Sequence, residues 1–490
     1  MTAPVAQRLG EYVAALRTRD LSPEVLTKAA VCLVDAIGLG VAARHEPSTQ
    51  AYLRTVQVLA DQGAGGTGGA ETGGAETGGA ETGWPGTARL WASPGRTLLS
   101  EAAAANAFAV HARFQDDCDM ASWSHPGSLV ISAAVTVADA TGASLDQVLR
   151  GIVAGYTAIN WLGADGVYGH AMVERGFRTS PVLGPVGAAA AASVVLGLGP
   201  DQAAHALSSA AAVAGGVIDT VRTGSSDFRW QNASAAWQGL RAALLAREGL
   251  DGSPPVFESP AGFLSGFAGL PQPIEVPGEP SPEAILTTWA KPFPALGDNV
   301  AVIAAALAVH QRGPVDPRGI TRIRVHQNAQ FASYPGTSYR GPFTKPVQAI
   351  ASTAYGVAST LVHGVLRYQR YLNALNDPAV EALVARTQIV PEADYGFLDG
   401  LVSVEFSGEQ ARTGAASDLP RTTFFRDRAA AVAAMEDLFA ETGLEPGPSR
   451  AAADALFAQV SYGQTAGWGT RSFLDAFLAP ARTDLTEAGV

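Results

Sequence analysis

Apolar residues along most of this chain recur every three to four positions, which is the spacing of one face of an α-helix. Glycine or proline interrupts the pattern between successive segments, as expected where one helix ends and the next begins. Many of the apolar positions are alanine or glycine, whose small size lets helices approach closely. The segments with this helical pattern are 5–42, 100–112, 128–141, 145–162, 186–196, 201–214 and 233–248.

The pattern changes after about residue 270, where a connector dense in proline begins. Residues 320–326 and 401–406 then alternate apolar and polar side chains, as half-buried strands do, and helical stretches lie between them. Residues 428–490 return to the helical pattern. The order of these segments predicts an all-helical body that is interrupted by an α+β insertion.

The composition is that of a compact globular protein with extensive buried or intersubunit surface, since 47% of the residues are apolar and 16% are charged. A single core stops growing at roughly 250–300 residues, so a chain of 490 residues is expected to form two domains. The net charge of −12, without a basic cluster, argues against a nucleic-acid partner.

The two cysteines, Cys32 and Cys118, have no CxxC spacing and predict neither a disulfide framework nor a zinc site. The N-terminus lacks a basic region followed by an apolar one, and no apolar stretch of about 18 residues has membrane-type flanks. We therefore expect a cytoplasmic protein with no membrane contact. Residues 63–83 repeat Gly-Gly-Ala-Glu-Thr and are expected to form a mobile surface loop.

The chemistry is densest between two alanine-rich helical segments, in residues 111–128. They read His-Ala-Arg-Phe-Gln-Asp-Asp-Cys-Asp-Met-Ala-Ser-Trp-Ser-His-Pro-Gly-Ser. Burying an unpaired charge costs several kcal/mol or more, so a fold tolerates such a cluster only where it is solvated, mutually paired or used. We interpret the stretch as a functional site.

This stretch is the first of a series of motifs that resembles, in its order, the MmgE/PrpD family, whose members include 2-methylcitrate dehydratase, cis-aconitate decarboxylase and iminodisuccinate epimerase. Each motif is weak alone, and the series covers nearly the whole chain. The motifs are His111-Ala through Asp116-Asp117 to His125-Pro126, Gly151 to Tyr156, Gly176-Phe177 leading to Gly187 and Leu196-Gly197-Leu198, Gln202 to Leu207, Ala235-Ala236 with Gly239, Lys291-Pro-Phe-Pro294, and Tyr355-Gly-Val-Ala.

The resemblance implies a mainly α fold, in which both chain ends, residues 1–275 and 421–490, form a large helical domain. Residues 276–420 would form a smaller α+β lid domain inserted between them. The resemblance also implies a homodimer, no cofactor and no metal. The expected chemistry is proton abstraction from small polycarboxylates in the cleft between body and lid, since sites form at domain interfaces.

Three residues match catalytic positions of the family: His125, Lys291 and Tyr355. The imidazole is the expected base or acid, because it changes protonation near neutral pH. The lysine would pair with a substrate carboxylate, and the tyrosine would protonate a leaving group or orient a carboxylate. The plain structural alternatives are a satisfied core histidine or helix cap, a solvated surface lysine, and a tyrosine packed in the core.

Several ionisable groups of the family are replaced in this chain, so the known substrates cannot simply be transferred. The aspartate that opens the family's Asp-x-Asp-Asp-Thr element is Phe114, and its threonine is Cys118. An expected histidine is Arg178, an expected lysine is Arg229, and the histidine five residues after the motif lysine is Leu296.

The two arginines suggest that this chain binds an anion more strongly than family members with histidine and lysine at these positions, and that it transfers protons there less well. A guanidinium presents a planar fork to carboxylate or phosphate but is a poor acid or base. Asp116 and Asp117 would pair with Arg178 and Arg229 or help to position the site histidine, the alternative being a cap at a helix end. Cys118 has no adjacent base in the sequence, so packing or a weak hydrogen bond in the substrate pocket is expected rather than nucleophilic attack.

The leading hypothesis is a cofactor-independent lyase, in specialised metabolism, that removes the proton alpha to a carboxylate. It would eliminate water or another beta leaving group from a small anionic hydroxy or polycarboxylic acid. A decarboxylase or an epimerase on the same scaffold is the first alternative, and an inactive family member that only binds ligand is the second. All depend on one arrangement, in which His125 of the helical half shares a cavity with Lys291 of the inserted half.

Overall fold

A computed structural model describes residues 3–64, 86–313, 315–408, 410–463 and 465–480. Of the repeat predicted to be a mobile loop, residues 65–83 lie outside these ranges. The described chain is mainly helical, as the sequence predicts. Its first twelve helices are α1 Val5–Ala15, α2 Pro23–Ala42, α3 Pro47–Ala64, α4 Leu99–His111, α5 Pro126–Thr141, α6 Leu145–Leu162, α7 Val167–Glu174, α8 Thr179–Leu196, α9 Pro200–Ala212, α10 Asp219–Thr223, α11 Phe228–Arg247 and α12 Phe263–Ala268.

The second half of the chain mixes helices and strands before it returns to helices. Its helices are α13 Val300–Gln311, α14 Ala329–Ser333, α15 Pro346–Ala351, α16 Thr353–His363, α17 Tyr368–Asn373, α18 Pro378–Arg386, α19 Arg428–Glu441, α20 Gly447–Tyr462 and α21 Thr470–Phe477. The strands of the described chain are β1 Thr87–Arg89, β2 Arg96–Leu98, β3 Ile320–Asn328, β4 Thr387–Glu392, β5 Gly400–Phe406 and β6 Arg412–Ala415.

Local signals fix several helix ends. Ser22 accepts a hydrogen bond from the Val25 N–H and Pro23 follows it, so α2 begins at the predicted cap. Helix α5 ends at Gly142, whose φ of +76° is the left-handed conformation that glycine adopts most readily. Helix α6 then starts with a capping box between Ser144 and Gln147.

One hydrophobic core, the first core, gathers side chains from α1, α2, α5, α6, α8, α9 and α11 together with α19, α20 and α21, so both ends of the described chain contribute to it. Helices pack closely there: a Cβ on Gly187 of α8 would lie 2.4 Å from Ile159 of α6. By length and composition alone, helices α2 and α8 could cross a membrane, and 78% and 94% of their apolar windows are buried inside the protein. Both are core helices.

A second core surrounds a four-stranded sheet with the strand order β4-β3-β5-β6. Strand β3 runs parallel to β4 and antiparallel to β5, with Val325 opposite Ile389 and Val402. The predicted strands 320–326 and 401–406 correspond to β3 and β5. Helices α13 and α16 pack in this core, which also takes in Phe114 and Phe228 from the N-terminal half.

The segment between α4 and α5, residues 112–125, is called the polar loop below, and it lies where the two cores meet. Cys118 of this loop and Trp289 exchange two backbone hydrogen bonds of 2.8 and 3.0 Å. This pairing holds the chain that follows Trp289, including Lys291, against the polar loop. Residues far apart in sequence are thereby brought to one place.

Candidate active site

A small cavity lies among the polar loop, the start of α8 and residues 296–298. Its volume is about 30 Å³, which is room for about one water molecule. Three of the predicted site residues line it: His125, Arg178 and Cys118. Phe114 and Leu296, which replace ionisable residues of the family, line it as well.

The ring of His125 is held in one tautomer. Its Nδ1 lies 2.8 Å from the carbonyl oxygen of Asp117, and because a carbonyl can only accept, Nδ1 carries the hydrogen. No residue in the described ranges hydrogen bonds to Nε2, which therefore presents its lone pair. Burial and then the charge of Lys291 lower the pKa of His125 well below its ordinary value, so the ring is neutral at pH 7. The His125 N–H donates to Ser180 Oγ at 3.0 Å, which ties the residue to α8.

Arg178 precedes α8 and is 4% exposed. Its guanidinium donates to the carbonyl oxygen of Phe228 and to Nε2 of His111, both at 2.9 Å. Burial lowers the pKa of Arg178 to about 10, which leaves it protonated at neutral pH. Within the described residues no carboxylate forms a direct ion pair with it. A buried cation without a direct counter-ion favours binding of an anion beside it.

His111 connects Arg178 to Asp116. The Nδ1 of His111 lies 2.9 Å from both carboxylate oxygens of Asp116, while its Nε2 accepts from the arginine. Burial lowers the pKa of His111 to about 4, so the ring is neutral. Burial alone would raise the pKa of Asp116, but His111 and the positive charges nearby hold it well below its usual value. Asp116 is thus ionised and helps to orient the arginine through the imidazole.

Lys291 lies behind the wall of the cavity. Its side chain is fully buried, with Nζ 3.9 Å from Asp116 Oδ1 and donating to the Ala295 carbonyl oxygen at 3.2 Å. The ammonium lies 5.5 Å from the centre of the Phe114 ring, which does line the cavity. Lys291 therefore joins the site of His125 electrostatically, as a counter-ion to Asp116, whereas the sequence suggested a lysine that reaches into the cleft.

The carboxylate of Asp117 connects the polar loop to α5 and α6. It accepts hydrogen bonds from the Gly127 N–H at the start of α5, at 2.8 Å, and from the Tyr156 hydroxyl. Burial raises its pKa to about 7. Because its backbone carbonyl also fixes the ring of His125, Asp117 acts as a positioning residue.

Cys118 lines the cavity with its Sγ 3.4 Å from His125 Nδ1. Burial raises the pKa of the thiol well above its ordinary value, so it stays protonated. A protonated thiol in this position packs beside the site and is a poor nucleophile.

Arg229 and Tyr355 lie away from this cavity. Arg229 donates to the Ala112 carbonyl oxygen at 2.9 Å and to the Tyr368 hydroxyl at 3.1 Å, and it lines a separate cavity of about 780 Å³. Tyr355 is buried in the second core, where its hydroxyl donates to the carbonyl oxygen of Ala374 at 3.3 Å. The structure therefore does not bring Arg229 and Tyr355 to the cavity of His125 and Arg178, because both side chains bind backbone or hydroxyl oxygens elsewhere.

Sequence reasoning missed three residues of the site: His111, Asp298 and Tyr334. His111 opens the polar stretch, and its position before the aspartates was an available signal. Asp298 follows Lys291 by seven residues and lines the cavity, as does Tyr334. Nothing in the pattern around Tyr334 distinguishes it from a core tyrosine.

Fold and site together define a mainly helical protein with two main hydrophobic cores and a small cavity where they meet, lined by an arginine and a histidine. The chain belongs to the MmgE/PrpD family: the family's N-terminal domain matches residues 7–274 and its C-terminal domain matches residues 293–402. The chain is also similar to the cis-aconitate decarboxylase-like protein oryM of Aspergillus oryzae, with 27% identity over 435 residues that cover 82% of this chain and 84% of that protein. The family resemblance seen in the sequence is confirmed.

Proposed function

We propose that this protein is a lyase that removes the proton alpha to a carboxylate of a small polycarboxylic acid and then expels a beta leaving group. One observation carries the proposal. The guanidinium of Arg178 is buried and has no direct carboxylate partner among the described residues, and it lines the same cavity as His125. The His125 imidazole is neutral, and its Nε2 has no hydrogen-bond partner in that part of the chain.

In this proposal a substrate carboxylate binds Arg178 at the N-terminus of α8, where the helix dipole also favours negative charge. Nε2 of His125 takes the proton from the neighbouring carbon, and the electron pair delocalises into the carboxylate. The guanidinium stabilises the charge that develops there. Asp116 and His111 keep the guanidinium in place while this happens.

The volume of the cavity implies that the protein opens to admit its substrate. A space of about 30 Å³ is far below the roughly 300–1,000 Å³ of ordinary ligand sites. The cavity lies where the two cores meet, so a separation of the cores would widen it. The α+β part around the second core would then act as the lid, closing over bound substrate and excluding water.

Decarboxylation is the second candidate, because the similar Aspergillus protein is named as cis-aconitate decarboxylase-like. Loss of carbon dioxide passes through a related enolate-like species, and the same guanidinium would stabilise it. The homodimer and the cytoplasmic location implied by the sequence remain predictions.

The test is solvent-deuterium incorporation and turnover with citrate, 2-methylcitrate and cis-aconitate, comparing wild type with His125→Gln. We expect the variant to lose about 100-fold or more of the wild-type rate, as is usual when a general base is removed. His205→Gln, on the distant helix α9, is the matched control and should keep the wild-type rate. A wild type that binds one of these acids yet neither exchanges nor converts it would contradict the proposal and favour an inactive, ligand-binding family member.

A further inference from the structure

Asp298 is a carboxyl group of the cavity that neither the family resemblance nor the reaction above uses. It lines the cavity beside Leu296 and Gly297, which precede α13, whereas His125 and Arg178 come from the helical half. The residue is 8% exposed, and its Oδ1 is buried without a hydrogen-bond partner in the described chain.

Ordinary structural roles do not account for this carboxyl group. Aspartate before a helix usually caps it, but neither the short 3₁₀ helix Gly297–Asn299 nor α13 has a side-chain cap. No ion pair joins Asp298 to a cation among the described residues. Gln327 donates to the backbone carbonyl of Asp298 and not to its side chain. Buried polar atoms are normally satisfied, so an orphaned oxygen at a cavity needs an explanation.

We propose that Asp298 is the general acid of the reaction and that it protonates the leaving oxygen while His125 takes the carbon-bound proton. This inference rests on the proposed function, since it assigns the second half of the same elimination. The carbon–oxygen bond breaks, the carboxyl proton of Asp298 moves to the departing oxygen, and water leaves. The electron pair of the broken carbon–hydrogen bond becomes the new double bond, and its proton stays on Nε2. Exchange with solvent then restores both side chains.

The electrostatic surroundings keep Asp298 in the form that an acid needs. Burial raises its pKa to about 7, against the lowering effect of its own backbone N–H and of Lys291. Cys118 of the polar loop and Tyr334 of the second core are the other titratable groups that interact with it, and both keep their protons at neutral pH. His125 and Arg178 share the cavity. A carboxyl group with such a pKa is protonated in an appreciable fraction of molecules at pH 7.

The distinguishing experiment compares leaving groups that do and do not need a proton. Wild type and Asp298→Asn are assayed with citrate, 2-methylcitrate and malate, and with analogues in which a fluorine atom replaces the hydroxyl group. We expect the variant to lose about 100-fold or more in kcat with the hydroxy acids. Fluoride departs as an anion, so release of fluoride should proceed at the wild-type rate. Asp316→Asn, an exposed carboxylate near β3, is the matched control.

The pH profile supplies a second readout. Wild-type kcat should fall as the pH rises through about 7, because the acid must be protonated, and this limb should be missing in Asp298→Asn. Equal losses with hydroxyl and fluoride substrates, or an unchanged rate with both, would overturn the assignment. If the wild type only decarboxylates cis-aconitate, Asp298 would protonate the product carbon, and an unchanged rate in the variant would likewise overturn it. A wild type inactive toward all these acids would instead refute the proposed function.

Discussion

Replacing Arg178 by glutamine tests whether the cavity binds an anion. The substitution removes the positive charge and cannot reproduce the hydrogen bonds, each 2.9 Å long, to the Phe228 carbonyl oxygen and to Nε2 of His111. A hydrogen bond to a charged group contributes about 1.5–3 kcal/mol, so losing one such contact to a carboxylate should weaken binding by about 10- to 150-fold. Arg178→Lys keeps the charge but loses the planar pair of guanidinium donors, so its affinity for a carboxylate ligand should lie between those of wild type and Arg178→Gln.

The assay is calorimetric binding of tricarballylate, a tricarboxylate with no leaving group, to wild type and both variants. The stability of the wild type and of both variants must also be measured, because each buried acceptor left without a donor costs about 1–3 kcal/mol of folding free energy. Denaturant unfolding without ligand gives this cost, and binding is then compared at a temperature where all three proteins are folded. A folded Arg178→Gln protein that binds tricarballylate with the wild-type Kd would refute the anion site at Arg178.

Two further predictions concern the polar loop and its supports. The pKa of Asp117 is raised from 3.8 to about 7 in the folded protein, so folding favours its protonated form. Relative to Asp117→Asn, which does not titrate, wild-type stability should therefore be greatest below about pH 4 and should fall as the pH rises to about 7. A constant difference in Tm across this range would contradict the shift. At Gly163 a Cβ would lie 2.1 Å from the carbonyl oxygen of Ala121 in the polar loop, so Gly163→Ala should cost about 1–3 kcal/mol or more and lower turnover. Gly266→Ala is the control, because a Cβ there meets nothing within 4 Å. Equal Tm values for the two variants would contradict the prediction, since they would show that the polar loop shifts without loss of stability.

Helix positions were predictable because apolar spacing, caps and glycine ends act locally. Strands β3 and β5 were predictable for the same reason, since buried and exposed side chains alternate along them. Strand β4 contains Pro391, and β6 has four residues of which Gly414 packs on the backbone of α13, so neither carries a recognisable alternation. Their pairing depends on the neighbouring strand and not on their own sequence.

The candidate site was predictable only where its residues lie close together in the chain. His125 and Cys118 belong to one loop, and Arg178 could be placed beside them by the resemblance. Whether Lys291 reaches into the cavity depends on how its segment meets the polar loop, and that is decided by tertiary packing. Tyr355 illustrates the same limit: its motif matches the family, but its hydroxyl is bound in the second core.

The joining of both chain ends in one core has a consequence for how the protein is made. Gly38 of α2 packs against Met435 of α19, and Asp35 pairs with Arg426, which lies 391 residues further along the chain. On the ribosome, α2 is synthesised long before these partners, because Arg426 lies so far along the chain from Asp35. Helices α4, α5 and α6 can cover part of α2 early, but the face that packs on α19 stays uncovered in the nascent polypeptide until α19 is made, an interval in which chaperones protect such surfaces from aggregation.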